Sequence, residues 1–195
     1  MKVYLERKGY SYSLTTIHKY MNTELGLRSI VRPKKPGYKH GKPHKIFDNR
    51  LKQDFTAETV NQKWCTDFTY LFLADHEVRY NCTIIDLYDR SVIASITDRS
   101  ITSDLAIRTL KKAFVDFCES VHVTQSMRKA GYPYDNASMK RYFNTLKNEC
   151  ANLREFQIEE SLYQAIEEFA YVEYNYVRPH SFNNYATPHE ARIAA

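Results

Sequence analysis

The sequence predicts an α/β domain, a β-sheet flanked by helices, preceded by a small basic helical unit. Three segments rich in β-forming residues follow one another between residues 64 and 96. Helical periodicity dominates from residue 104 onwards. Charge is unevenly distributed, because residues 1–50 carry 12 Lys and Arg against 3 Asp and Glu, whereas residues 51–195 carry 16 against 20. We therefore expect two units with different tasks, the first suited to phosphate contacts.

Composition and cysteine spacing argue against several classes of protein. The chain has 195 residues, 43% of them hydrophobic, which is enough to bury a core. No apolar run reaches membrane-spanning length, and the N-terminus lacks the apolar segment of a secretory signal. The cysteines lie too far apart for a disulfide framework or a cysteine zinc site; they are Cys65, Cys82, Cys118 and Cys150. We expect reduced thiols, a cytoplasmic location and no membrane partner.

Residues 1–30 predict a small helical unit. Two short helices are expected over residues 2–9 and 14–25, with Ser13 capping the second helix and Gly26 ending it. The apolar positions of the second helix include Ile17, Tyr20 and Leu25. This arrangement fits a helix-turn-helix, which places its second helix in the DNA major groove, and it also fits a plain helical hairpin.

Residues 31–55 predict an extended basic linker, because Pro33, Pro36 and Pro43 forbid a long helix. Such a linker is suited to follow a DNA backbone, and a solvated tether without a partner is the alternative. The candidate DNA-binding residues of the helical unit and the linker are Lys19, Arg28, Arg32, Lys34, Lys35, Lys39, Lys42 and Lys45.

Residues 56–195 predict the α/β domain itself. Strands are expected over residues 64–73, 79–87 and 92–96, in an antiparallel meander with a turn at Asp89–Ser91. Helices are expected over residues 104–118, 137–150 and 159–174, a fourth short strand over 121–126, and a short helix near the end of the chain. Thr102 or Ser103 and Asn136 are the expected helix caps. The predicted inward-facing helix positions are Leu105, Leu110, Ala113, Phe114, Phe117, Met139, Phe143 and Leu146.

Asp67 lies in the middle of the first predicted strand, where a carboxylate is costly without a partner. One interpretation is a metal-ligating carboxylate at the centre of a strand. The other is a carboxylate that accepts hydrogen bonds from nearby backbone groups or from an arginine. A single residue does not decide between them.

The segment of residues 64–70 (WCTDFTY) resembles the first catalytic motif of transposases of insertion-sequence family three, which are DDE recombinases. Further segments match that family in the same order along almost the whole chain. They are residues 25–29 (LGLRS), 85–91 (IDLYDRS), 124–127 (TQSM), 131–137 (GYPYDNA), 143–149 (FNTLKNE) and 174–180 (YNYVRPH).

The resemblance implies an RNase H-like integrase core over residues 56–195, with a mixed sheet, and a function in DNA transposition and integration. In such enzymes two Asp and one Glu hold two divalent metal ions, usually Mg²⁺, which promote cleavage and strand transfer at insertion-sequence ends. The resemblance also implies double-stranded DNA as a partner, self-association and an upstream OrfA-type product. The implied location is the bacterial cytoplasm, in association with the nucleoid.

The chain departs from the family at two of the three metal ligands, and only Asp67 matches. The second Asp should lie in a His-Ser-Asp-x-Gly-Ser-like motif on a fourth strand. Here the helix that ends near Phe114 runs directly into residues 115–120, which indicates an internal deletion that fused two helices and removed an inner strand. The third ligand, a Glu three residues after Ala137, is replaced by Lys140, which cannot ligate a metal ion while protonated.

Lys140 allows two interpretations: its ammonium sits where a metal ion would and pairs with Asp67, or it points to solvent. The remaining acids of the matching segments are expected to be solvated or capping groups, not replacement ligands; they are Asp86, Asp89, Asp116, Asp135 and Glu149. The sequence thus favours a catalytically inactive transposase. A DNA-binding module that competes with intact transposase, and a remnant without function, are the alternatives.

Overall fold

A computed structural model of the chain describes residues 1–27, 51, 54–115 and 136–194. The chain divides into two compact units, Met1–Lys39 and His40–Ala195. The boundary between them falls within the predicted basic linker. Most of that linker, the segment predicted as a fourth strand and the C-terminal end of the helix predicted over 104–118 lie outside the described residues.

The first unit contains α1 (Lys2–Arg7) and α2 (Leu14–Lys19), and α2 continues as a π-helical turn over Tyr20–Glu24. The predicted cap is confirmed, since the Ser13 hydroxyl accepts a hydrogen bond from the Thr16 amide at 3.0 Å. Gly26 has φ +62° after the last helical turn, a conformation that ends helices and suits glycine. Two predicted apolar positions were wrong, because Tyr20 and Leu25 are exposed.

Three strands form one antiparallel sheet in the order β1 (Trp64–Phe72), β2 (Val78–Asp86) and β3 (Val92–Asp98). This confirms the predicted meander. The β2–β3 turn contains Arg90 at φ +65°, a conformation uncommon for a residue with a side chain. In the β1–β2 register Asp67 stands opposite Thr83, which is fully buried.

Helix α3 (Ser103–Val115) packs against one face of the sheet. Its N-terminus is capped by Thr102, whose hydroxyl accepts a hydrogen bond from the Leu105 amide at 3.2 Å. Leu105, Thr109 and Ala113 are fully buried, so the residues spaced by four face the sheet. The prediction that Leu110 faces inward was wrong. It follows Thr109 by one residue, which turns it about 100° away from the sheet and leaves it exposed.

The main core lies on the opposite face of the sheet. It is covered by α4 (Ala137–Leu146) and α5 (Glu159–Glu168), which continue as π-helical turns over Lys147–Ala151 and Phe169–Val177. The predicted inward positions of α4 are confirmed: Met139 and Leu146 are fully buried, and Phe143 is nearly so. They pack with Leu71, Ile85 and Leu162, among others, in one cluster.

The C-terminal segment is a loop with a short 3₁₀ turn at Ser181–Asn183, followed by α6 (Pro188–Ile193). Thr187 and Glu190 form a reciprocal capping box at the start of α6, and Pro188 occupies its first turn. The α/β architecture that the sequence predicts is confirmed. Among the described residues, no helix has the length and apolarity needed to cross a membrane.

Candidate catalytic site

Asp67 is the fourth residue of β1. Side chains alternate across a strand, so Asp67 shares a face with Cys65 and Leu71, the face covered by α4 and α5. The carboxylate is half-buried. The sheet thus aims the acid towards the start of α4.

Asn136, the residue before α4, holds the Asp67 carboxylate. Its Nδ2 donates to Asp67 Oδ2 at 3.0 Å and to the Thr66 carbonyl at 3.3 Å, and its Oδ1 accepts from the Cys65 thiol at 2.8 Å. The other Asp67 oxygen accepts from the Phe68 amide at 3.0 Å. The Asp67 carboxylate is therefore hydrogen-bonded by an amide side chain and a backbone amide, and its role as a metal ligand stays a prediction.

The prediction that the Asn136 side chain caps α4 was wrong. Asn136 stands at the cap position, but its side chain makes no capping hydrogen bond. Its amide is instead engaged by β1, and only 5% of the residue remains exposed. A tertiary contact with a carboxylate has replaced the local contact that helix-cap preferences predict.

Lys140 lies exposed in the first turns of α4, four residues after Asn136. The proposed pairing of its ammonium with Asp67 stays a prediction. In the described part of the chain, no three His, Cys, Asp or Glu side chains come together in a way that could hold a metal ion. Of the candidate DNA-binding residues, Lys19 is exposed at the end of α2, and the other seven lie outside the described residues.

Asp86 and Asp89 are not solvated, as the sequence led us to expect, but completely buried. Arg192 of α6 donates from Nη2 to Asp86 Oδ2 and from Nε to Asp89 Oδ2, both at 2.7 Å. Burial raises the pKa of Asp86, while hydrogen bonds from the Tyr88 and Asn61 amides act in the opposite direction. These two acids connect the β2–β3 turn to α6, which is a structural role.

Glu149 was also expected to be solvated or to cap a helix, and it forms an ion pair instead. Arg178 donates to its two carboxylate oxygens at 2.7 and 2.8 Å, in a bidentate arrangement. Asp116 and Asp135 lie outside the described residues. The three described acids of this group form no cluster with Asp67 that could hold a metal ion.

Sequence reasoning missed the role of His180. Its ring is buried, and Nδ1 accepts a hydrogen bond from the Phe182 amide at 3.2 Å. Burial, together with the positive charges of Arg178, Arg90 and Arg141, lowers the pKa of His180 to about 4. The histidine is therefore neutral at pH 7. The Arg-Pro-His sequence was a signal that this position is special, but not that it is buried.

Comparison with known proteins adds two kinds of similarity. Two family models, each described as an integrase core domain, match residues 57–126 and 121–188. The transposase InsF of insertion sequence IS3A from Escherichia coli strain K12 is 29% identical over 213 positions, which cover 95% of this chain and 73% of InsF. The putative transposase InsK of element IS150 from the same strain is 28% identical over 194 positions, covering 87% of this chain and 67% of InsK.

The span matched to InsF is longer than the chain itself. It contains 213 positions, whereas the chain has 195 residues. InsF therefore carries residues within this span that have no counterpart here.

Proposed function

Because the chain belongs to the integrase-core transposases of insertion sequences, with their RNase H-like fold, we propose that it binds insertion-sequence ends without catalysing DNA cleavage or strand transfer. Integrase-core recombinases of the DDE type use divalent metal ions. The proposal separates the two parts of the transposase function: DNA recognition is retained and phosphodiester chemistry is lost.

The observation that carries this proposal is the lysine, Lys140, at the position where the resemblance places the family's Glu. A carboxylate that ligates Mg²⁺ presents its oxygens to the cation, together with further oxygen ligands. Here an amide hydrogen faces one Asp67 oxygen and a backbone amide faces the other. The residue where the family has its Glu is a lysine. The two hydrogen bonds stabilise the carboxylate in its charged form, and the lysine, which has no lone pair for a metal ion while protonated, is what does not fit a two-metal site.

The length of the span shared with InsF supports the internal deletion that the sequence indicates. The relative has residues there that this chain lacks. A gap between Phe114 and Val115 would remove the strand that carries the second Asp. Loss of that strand removes a ligand whose position no nearby residue of α3 replaces, because metal sites require ligand placement within a few tenths of an ångström.

DNA binding rests on the basic residues of the first 50 positions, whose charges neutralise phosphates and release counterions. We propose double-stranded insertion-sequence ends as the DNA partner. Self-association and an upstream OrfA-type product are the proposed protein partners, and the nucleoid in the bacterial cytoplasm is the proposed location. Occupation of the ends by this chain would compete with an intact transposase.

The loss of chemistry is tested by thermal unfolding of the full chain with Mg²⁺, with Mn²⁺ and with neither. A ligand that binds only the folded state raises the melting temperature. We expect one cooperative transition that these ions leave unchanged, both in the wild type and in Asp67→Asn. A rise in the wild type that Asp67→Asn abolishes would overturn the proposal, and so would metal-dependent nicking of end DNA. Absence of a cooperative transition would favour a remnant without function.

DNA binding is tested by measuring the affinity of the full chain for duplex end DNA at several salt concentrations. The slope of log affinity against log salt reports the number of phosphates that the protein neutralises. We expect Arg32→Gln, Lys34→Gln and Lys35→Gln together to weaken binding and to flatten the slope. Lys111→Gln, an exposed lysine of α3, is the matched control. Equal slopes in all variants would contradict the assignment of these residues.

A further inference from the structure

A loop in the C-terminal segment is closed by a set of backbone hydrogen bonds. We call residues 180–186 the 180–186 loop. The His180 amide donates to the Ala186 carbonyl at 3.1 Å, and the His180 carbonyl accepts from Asn183 and Tyr185 at 3.0 and 2.9 Å. The Asn183 side chain donates to the Asp89 carbonyl at 2.7 Å, which attaches the loop to the β2–β3 turn. The loop is therefore held in one conformation.

Two consecutive residues of this loop adopt the left-handed conformation, Asn184 at φ +51° and Tyr185 at φ +67°. Asparagine tolerates this region, but a bulky residue such as tyrosine rarely does. Such a conformation costs free energy and persists only where surrounding contacts over-determine it, often at binding sites. The loop presents the aromatic side chains of Phe182 and Tyr185 to solvent, and these residues are 48% and 55% exposed.

Phe182 is braced from one side by Arg90. The guanidinium carbon lies 4.0 Å from the ring centroid, in a cation–π contact. Arg90 is itself fixed, because Nη1 donates to the Ser138 hydroxyl at 2.6 Å and Nη2 to the Phe55 carbonyl at 3.3 Å. The guanidinium covers one face of the ring. The half of the side chain that remains exposed is available for a second planar group.

Three arginines lie near the loop. Arg90, Arg141 and Arg178 all lie close enough to lower the pKa of His180. Arg178 is neutralised by Glu149, whereas Arg141 is exposed on α4. A rigid loop with outward aromatic rings beside guanidinium groups fits a partner that combines planar rings with negative charge. Single-stranded DNA has both.

We propose that the 180–186 loop binds unpaired DNA, with a base stacked on the exposed face of Phe182 and Tyr185 supporting a neighbouring base. Arg141, which is exposed on α4, would contact an adjacent phosphate. The proposal rests on the proposed function, since it assumes that the chain meets DNA at the ends of an element. It adds a second DNA-contacting surface, within the core unit, that recognises a different form of DNA from the basic first 50 residues.

The test compares binding of the full chain to duplex end DNA and to an unpaired oligonucleotide of the same sequence, by fluorescence anisotropy. The loss of one stacked base corresponds to a roughly 5- to 150-fold loss of affinity. We expect Phe182→Ala to weaken binding of the unpaired oligonucleotide at least fivefold, and binding of the duplex less than twofold. Phe182→Trp, which keeps a stacking surface, should retain affinity. Phe72→Ala is the matched control, because Phe72 is 49% exposed on β1.

The outcomes separate this proposal from the proposed function. If the wild type binds duplex and Phe182→Ala binds unpaired DNA as well as the wild type does, the loop proposal is overturned and the proposed function stands. If the wild type fails to bind duplex but binds unpaired DNA in a Phe182-dependent manner, the loop proposal stands and the proposed binding of duplex ends is overturned. If Phe182→Ala changes only the molecular mass in sedimentation, the loop contacts a second copy of the chain and the proposal is overturned.

Discussion

Replacement of Arg192 by methionine tests how strongly the C-terminal helix is tied to the sheet. Methionine keeps much of the side-chain length and removes the charge and all donors. The change removes the hydrogen bonds to Asp86, Asp89 and the Ser91 hydroxyl, the last at 2.9 Å. Two carboxylates that are 0% and 1% exposed are then left without their cation.

The magnitude follows from what remains around the two acids. Removal of one partner from a buried ion pair typically costs about 3–5 kcal/mol. Asp86 keeps the amides of Asn61 and Tyr88 as donors, and Asp89 keeps both donors of Ser91. We therefore expect the lower end, about 3 kcal/mol. For a domain of this size that corresponds to a fall of roughly 6–12 °C in melting temperature.

The pH dependence gives a second, independent readout. Burial already raises the pKa of Asp86, and loss of Arg192 raises it further, because the nearby positive charge acts to lower it. A folded-state pKa above the unfolded value means that stability is lost as pH rises through the folded pKa. The loss of unfolding free energy in Arg192→Met, relative to the wild type, should thus be largest at pH 7 and should shrink towards pH 4.5.

The assay is urea unfolding at both pH values, with Arg154→Met as control because Arg154 is an exposed arginine elsewhere on the core unit. Equal stability of the two variants at pH 7 would refute the reasoning about the buried acids. A deficit that is the same at pH 7 and pH 4.5 would refute its electrostatic part and leave only lost packing.

Three further predictions concern single side chains of the core unit. The Tyr142 hydroxyl is buried beside the Thr83 side chain and makes no well-formed hydrogen bond among the described residues. Tyr142→Phe should therefore raise the free energy of unfolding by about 1 kcal/mol in urea titrations. A loss of stability would show that the hydroxyl is bonded to Thr83. The pKa of His180 is lowered to about 4, so its contribution to stability is complete above about pH 6.5 and is lost as pH falls towards 4. His180→Gln should flatten the profile of unfolding free energy against pH in this range. An unchanged profile would contradict the lowered pKa of the buried histidine. Hydrogen bonds from Arg99 and Arg79 lower the pKa of Glu159 to about 2, so the contribution of Glu159 to stability is present above the ordinary carboxyl pKa and is lost on acidification towards pH 2. Unfolding followed by circular dichroism should show that Glu159→Gln removes this acid-dependent loss of stability. A difference between the two proteins only at neutral pH would contradict the lowered pKa.

Local sequence patterns predicted the helices and strands that bury one apolar face against the rest of the domain. The β-forming residues of β1 predicted a strand, and the helical spacing of Met139, Phe143 and Leu146 predicted the inward face of α4; both are confirmed. Leu110 was assigned wrongly because α3 presents a narrow stripe to the sheet, and hydrophobicity alone does not reveal the width of that stripe. Local sequence signals therefore predicted where the helices and strands lie better than they predicted which of their side chains face the core.

The candidate site was less accessible to sequence reasoning, because its contacts join residues far apart in the chain. Asn136 and Asp67 are separated by 69 positions, and the helix-cap preference of asparagine concealed their contact. Arg192 and Asp86 are separated by 106 positions, so nothing local marks Asp86 as buried. A buried carboxylate needs a hydrogen-bond donor or a cation beside it, but only the three-dimensional structure identifies which residue that is.

The long separation between Arg192 and its acids has a kinetic consequence. Contacts between distant parts of a chain require closure of a large loop and form slowly. If the contact of α6 with the β2–β3 turn is absent from the transition state, its loss leaves the folding rate unchanged and appears entirely as faster unfolding. A loss of about 3 kcal/mol would then shorten the lifetime of the folded state by roughly two orders of magnitude. The ion pairs of the two buried acids with Arg192 would thus slow unfolding and set the kinetic stability of the domain.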